Sequence, residues 1–333
     1  PLPVHRDRES GHRTERVLLV PDGAVHLVSF GALPSGGEYL FPGFAFHWLS
    51  AERDLLLPAP PAAGEGLLAL AGADYGASGE TDTVESLRSA CANLQDLVFE
   101  PLPGARAEGE EIAAAWTPNP ARPLAGETEP SMVFLGSNAT EQRFREEAVG
   151  KRVLHLATHA FFLGGDCRVG SGQRGVGGLV RPGRPRPRIA NPQLVSGLAL
   201  AGANVRAAAT EVTNDGILTA EEIVALDLSG GECAGLSACD TGIGTIAAGD
   251  GVLGLRRAFQ LAGARTVVMS LWPVEDQSAR LWMRRFYEAR QGDVSTFAAA
   301  TGATLRTIDS RRGQRTLPHP FYWAAFVTAG DWR

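Results

Sequence analysis

Two short apolar runs in this chain end in residues able to supply a nucleophile and its base. Residues 153–157, Val-Leu-His-Leu-Ala, lead through Thr158 to His159, and residues 233–238, Cys-Ala-Gly-Leu-Ser-Ala, lead to Cys239. A cysteine attacks as its thiolate, which a free side chain with a pKa of ~8.5 supplies only sparsely at neutral pH. An imidazole within hydrogen-bond reach remedies this by taking the thiol proton and later handing it to the leaving group. In an open parallel sheet, the carboxyl ends of the strands collect reactive groups in one crevice. If the two runs are neighbouring strands, His159 and Cys239 meet there. Taken singly, each has an ordinary structural role: a strand-end cysteine packs as a small hydrophobe, and a strand-end histidine is commonly a core residue. Their spacing alone does not choose between these structural roles and a catalytic pair.

Other residues flank these two. By the period-two alternation of a strand, His155 shares a face with His159, either as a partner of the base or as a hydrogen-bonded core histidine. Asp240 and Asp250 bracket the stretch after Cys239. They either line a pocket for a basic side chain or favour the N-terminus of the helix that opens near Val252. Trp272 and Trp323 read as core, with the loop after Leu271 as a route for Trp272 to a pocket rim.

The elements that must position these groups alternate along the chain. Strand-like runs at 67–71, 133–135, 153–157, 234–238 and 266–271 are interleaved with helix-like segments at 108–116, 140–147, 252–262 and 276–290. Short strands that are apolar on both faces, separated by helices, specify an α/β fold with a mostly parallel sheet flanked by helices. Residues 321–328 have the character of a further edge strand. Ahead of this core, residues 17–20 and 25–30 flank Pro21-Asp22-Gly23 and read as a hairpin, because Asp-Gly supplies the positive φ of a tight turn. The Pro/Ala/Gly stretch 58–66 reads as a linker. The chain therefore divides into a polar segment 1–14, a β-rich part 15–62 and an α/β core 63–333. Within the core, residues 164–190 are rich in Gly, Arg and Pro without periodicity. A loop of that length in a compact domain is either functional or a solvated insertion.

Composition closes off several classes. With 44% hydrophobic and 20% charged residues over 333 positions, the chain buries a sizeable core rather than staying disordered. A formal charge of -6 argues against nucleic-acid binding by bulk charge. No apolar run approaches the ~20 residues of a membrane span, and residues 1–15 lack a signal-peptide core, so a cytoplasmic protein away from membranes is the expectation. Cys91, Cys167, Cys233 and Cys239 include no C-x-x-C pair and are too sparse for a disulfide scaffold, so reduced thiols are expected. His155 and His159 do not make a helical zinc site, because H-E-x-x-H needs glutamate where Leu156 stands. Residues 242–247 fit G-x-G-x-x-A after a strand, yet the apolar helix pattern starts only near Val252, too late for its first turn to receive a pyrophosphate. Neither a metal nor a cofactor is expected.

Residues 154–161, 215–222, 236–244, 249–259, 262–276 and 319–326 resemble the CHAT domain family, caspase-like cysteine peptidases related to separases, gingipains and caspases. Fainter likeness at Pro21-Asp22-Gly23, Leu102-Pro103-Gly104 and 191–204 extends the match over residues 15–333. The resemblance implies a caspase-like cysteine endopeptidase, a hydrolase in which His159 is the catalytic base and Cys239 the nucleophile, acting on protein or peptide substrates through an acyl-enzyme. It implies an oxyanion hole from the backbone N–H groups of Ala160 and Cys239. Many relatives have glycine after the histidine; Ala160 keeps the N–H, provided its φ is negative. The resemblance also sets Ser237, two residues before the cysteine, in the wall of the specificity pocket, where it brings no charge. Caspases carry Gln-Ala-Cys about 50 residues after the histidine, whereas Ser237-Ala238-Cys239 follows His159 by about 80, the 164–190 loop taking up the excess. An upstream helical-repeat domain or other regulatory partner is implied as a switch. The competing expectation is a catalytically silent caspase-like interaction module.

Overall fold

The computed structural model describes residues 5–6, 13–56, 64–76, 97–116, 131–162, 196–209, 214–237, 248–290, 294–312 and 319–333. In chain order the strands are β1 (His5–Arg6), β2 (Arg13–Leu19), β3 (Pro34–Ser35), β4 (Glu38–Tyr39), β5 (Phe44–Trp48), β6 (Leu67–Ala73), β7 (Ser131–Gly136), β8 (Val153–Ala157), β9 (His159–Phe162), β10 (Ser196–Ala199), β11 (Ile217–Thr219), β12 (Cys233–Leu236), β13 (Thr266–Ser270) and β14 (Phe326–Gly330). The α-helices are α1 (Pro103–Ala115), α2 (Glu141–Glu147), α3 (Ala220–Val224), α4 (Ala248–Ala262), α5 (Asp276–Ala289) and α6 (Thr296–Arg312).

Among the described residues, nine strands form one sheet in the order β1-β2-β5-β14-β13-β12-β8-β6-β7. The core strands β7, β6, β8, β12 and β13 run parallel. Their side chains are apolar on both faces because both faces are covered. Leu154, Leu156, Ala234, Leu236 and Val267 pack with Phe144 of α2, Ile223 of α3 and Phe259 of α4. The opposite face, with Val153, Cys233 and Val268, packs with Ile112 of α1, Trp282 and Phe286 of α5 and Ala303 of α6. The fold is the expected α/β arrangement, a helix–sheet–helix stack.

The structure corrects the sequence reading in three places. Residues 25–30 do not return as the second strand of a hairpin. Asp22 Oδ1 accepts from the Gly23 N–H at 2.8 Å and caps a 3-10 helix, Gly23–Leu27, which Gly23 opens at φ +52°. The C-terminal run is not an edge: β14 lies inside the sheet, antiparallel to β13 and parallel to β5. Through β14, β5 and β2 continue the central sheet. Helix α4 opens at Ala248, four residues before the apolar pattern, so helix position alone does not argue against a dinucleotide at residues 242–247. A small second sheet, β11-β10-β9, follows β8 directly.

Candidate active site

The site is built where β8 and β12 end. These strands are adjacent and parallel, with Leu156 opposite Leu236, and the Ser237 N–H donates to the Leu156 carbonyl at 2.9 Å, carrying the register one step past the ladder. In sequence, His159 and Cys239 each stand three residues beyond that Leu156/Leu236 pair. Cys239, with Asp240, lies outside the described residues.

His159 is fully buried. The chain breaks strand geometry at Thr158, whose hydroxyl donates to the Ala199 carbonyl of β10 and pulls the chain into the small sheet. That proton being committed, the Tyr75 hydroxyl donates to Thr158 Oγ1, at 2.9 Å. Burial pushes the Tyr75 phenol up to about 12, which keeps it a donor. The imidazole of His159 packs against Tyr75, with ring centroids 5.2 Å apart, and stacks on Phe99 at 5.7 Å. Its Nε2 lies 2.6 Å from the main-chain carbonyl of Glu100. A carbonyl only accepts, so Nε2 carries the proton and, in the neutral ring, Nδ1 holds the lone pair. Neutral imidazole in that tautomer has its basic nitrogen on the side away from Glu100.

His155 has a different post. It too is fully buried, with Nε2 3.0 Å from Glu108 Oε1 of α1 and Nδ1 3.2 Å from the Tyr287 hydroxyl of α5. Gly235 on β12 leaves room for this cluster: a Cβ there would lie 3.1 Å from the Tyr287 oxygen and 3.5 Å from His155 Nδ1. His155 is therefore the bonded core histidine of its two readings. The alternation that would have aligned it with His159 is lost at Thr158.

Ser237 is 7% exposed at the end of β12. Ala160 lies in β9 opposite Leu198 of β10, in extended backbone, where φ is negative. Asp250 falls in the first turn of α4. Trp272 is half-buried, its indole N–H donating to the Phe321 carbonyl at 3.1 Å, while Trp323 is core. Sequence reasoning missed Tyr75, Phe99 and the Glu100 carbonyl. All three reach His159 from distant parts of the chain, and a main-chain carbonyl leaves no mark on residue type.

The family model for the CHAT domain matches residues 2–331. Tetratricopeptide repeat protein 28 of Homo sapiens is 34% identical over 82 residues, covering 25% of this chain and 3% of that protein. Tetratricopeptide repeat protein 28 of Mus musculus is 22% identical over 336 residues, covering 96% of this chain and 12% of that protein. The chain thus spans a small part of the length of these curated relatives.

Proposed function

Because the chain belongs to the CHAT domain family, which is caspase-like, we propose that it is a cysteine endopeptidase with His159 as base and Cys239 as nucleophile. The observation that carries this reading is the Nε2–H bond of His159 to Glu100, which leaves Nδ1 as the basic nitrogen at the carboxyl end of β8, beside the strand that leads to Cys239. Cys239 follows Ser237, the last described residue after β12, by two positions in the sequence.

In this mechanism Nδ1 takes the thiol proton, and the sulfur forms a bond to the substrate carbonyl carbon. Backbone N–H groups of Ala160 and Cys239 receive the oxyanion. The imidazolium then protonates the amine as the C–N bond breaks, leaving a thioester. Water adds to the thioester with its proton going to Nδ1, and the acid leaves as the thiol is restored. Ser237 brings no charge to the pocket wall, so an acidic lining from Asp240 or Asp250 would select a basic residue before the scissile bond through charge-assisted bonds. The arginines of the 164–190 loop then make that loop a candidate for self-cleavage. The tetratricopeptide repeats in the relatives' name support an upstream helical-repeat partner for this chain too. Among the described residues no helix is long and apolar enough to cross a membrane.

One observation favours a second reading, the silent interaction module: His159 is fully buried beneath aromatic rings. Profiling the purified chain against a peptide library, beside Cys239→Ala and His159→Ala, separates the two. Cleavage lost in both variants, with melting unchanged, supports the peptidase. Cleavage that survives Cys239→Ala removes it, and a wild-type chain that cleaves nothing leaves the interaction module.

A further inference from the structure

Residues 97–100 carry the carbonyl that fixes His159, yet they belong to none of the sheets. The Leu97 carbonyl and both polar backbone groups of Phe99 are bonded instead from a 3-10 helix, Ala203–Ala208, that follows β10. Asn204 supplies most of this. Its Oδ1 accepts from the Phe99 N–H at 2.8 Å, and its Nδ2 donates to the Phe99 carbonyl at 2.9 Å and to the Gly76 carbonyl at 3.2 Å. Its main-chain N–H donates to the Tyr75 carbonyl at 2.8 Å. One planar amide thus pairs with both polar groups of Phe99, as a neighbouring strand would, and the same residue ties down Tyr75. Phe99 and Tyr75 are the two aromatic residues against which the His159 ring packs.

The other end of the segment is anchored independently. It enters α1 through Leu102 and Pro103, and Leu102 makes no side-chain cap. The orphan N–H of Gly104 is taken by Asp276 Oδ2 of α5, at 2.5 Å. A Cβ at position 104 would run into that carboxylate, so a side chain there would have to displace Asp276 from its bond. Glu100 therefore sits on a strut between two anchors, Asn204 behind it and Asp276 ahead. Of the two, Asn204 is bonded to the residue adjoining Glu100.

We propose that Asn204 is a positioning residue for His159: by fixing the Phe99–Glu100 peptide it holds the carbonyl that selects the Nε2–H tautomer and so presents Nδ1 to the thiol of Cys239. Only that last step rests on the peptidase reading. The selection of tautomer stands on the hydrogen bonds alone.

The test compares the wild-type chain with Asn204→Ala, with Asn204→Asp, which keeps the bond from the Phe99 N–H but loses both donations, and with Leu305→Ala, a core truncation on α6 away from His159. Imidazole proton and nitrogen NMR of each, in a Cys239→Ala background, reads the His159 tautomer without any need for turnover. Peptide cleavage by the same three variants with Cys239 intact reads kcat and KM separately. The expected result is a sharp, slowly exchanging Nε2–H signal in wild type and Leu305→Ala, and its loss in Asn204→Ala and Asn204→Asp. With it, kcat falls about 10- to 100-fold and KM stays within about twofold. An Asn204→Ala protein that keeps the signal overturns the proposal, as does a Leu305→Ala protein that loses it equally. If Asn204→Ala does not fold, Asn204→Asp decides by the same signal. A wild-type chain that shows the signal but cleaves nothing, with the signal lost in the Asn204 variants, sustains the positioning role and rejects the peptidase reading.

Discussion

His159 donates its Nε2–H to the main-chain carbonyl of Glu100, 2.6 Å away. The orienting group is a peptide oxygen, so the Glu100 side chain is dispensable. The exposed Glu100→Ala variant should retain kcat/KM within about twofold, as surface substitutions generally do, and keep the Nε2–H resonance. Steady-state cleavage and imidazole NMR check this. A large loss would assign the work to the carboxylate.

Thiol reactivity should divide the cysteines. Cys233 is buried within β12, and burial pushes its thiol up to about 11. At neutral pH in the native protein, iodoacetamide should leave it unmodified. Cys239 should be alkylated, and His159→Ala should slow that alkylation about tenfold or more, because the thiolate fraction falls. Mass mapping over a time course reads both sites. Equal rates at Cys239 with and without the imidazole would break the dyad.

Stability should fall as pH rises through neutrality, because of Glu141. This carboxyl is fully buried at the start of α2, bonded to the Gly216 N–H at 2.6 Å and to Arg145 at 2.9 Å, and burial raises it to about 8, with Glu222 and Asp215 adding to the rise. The folded state binds the proton more tightly than the unfolded chain, so this contribution is complete below pH 4.5 and is lost as pH climbs through about 8. Thermal melts from pH 5 to 8 should show wild type losing ground against Glu141→Gln by about 3–4 kcal/mol. Parallel curves for the two proteins would contradict the assignment.

The Glu108–His155–Tyr287 cluster should act on stability and leave His159 alone. Glu108→Ala strands a fully buried imidazole and should destabilise by about 3 kcal/mol. Gly235→Ala, which crowds the Tyr287 hydroxyl, should destabilise by about 1–3 kcal/mol. Denaturant melts measure both, with the His159 Nε2–H signal expected unchanged in each.

The parts legible in the sequence were those where a side chain announces its surroundings. Strands β8 and β12 are apolar on both faces, and this told both that the sheet is parallel and that the two runs are interior. Helix α6 gave no such sign. It is buried widely around its circumference, by Phe297, Ala299, Ala303, Leu305 and Ile308, and by threonines that look polar. Thr301, Thr304 and Thr307 each return their hydroxyl to the carbonyl four residues back, so they enter the core satisfied and erase the apolar stripe. Within the site, His159 was legible because imidazole is rare and chemically distinct. The bonds from Asn204 to Phe99, 105 positions away, had no local pattern to betray them. The residues from Ala238 to Asp240 lie outside the described residues, so the nucleophile rests on sequence and family.

The interior place of β14 gives the molecule a direction of assembly. His47 of β5 meets Thr328 of β14 through a 2.8 Å bond across 281 positions of chain, and β14 also seals β13. During synthesis, β2 and β5 emerge early and wait with an unsatisfied edge, while β13 acquires one of its own. Neither edge is closed until residues 326–330 leave the ribosome. Premature termination between Ser270 and Phe326 therefore yields a polypeptide in which both of these strand edges are open, the form in which nascent chains self-associate.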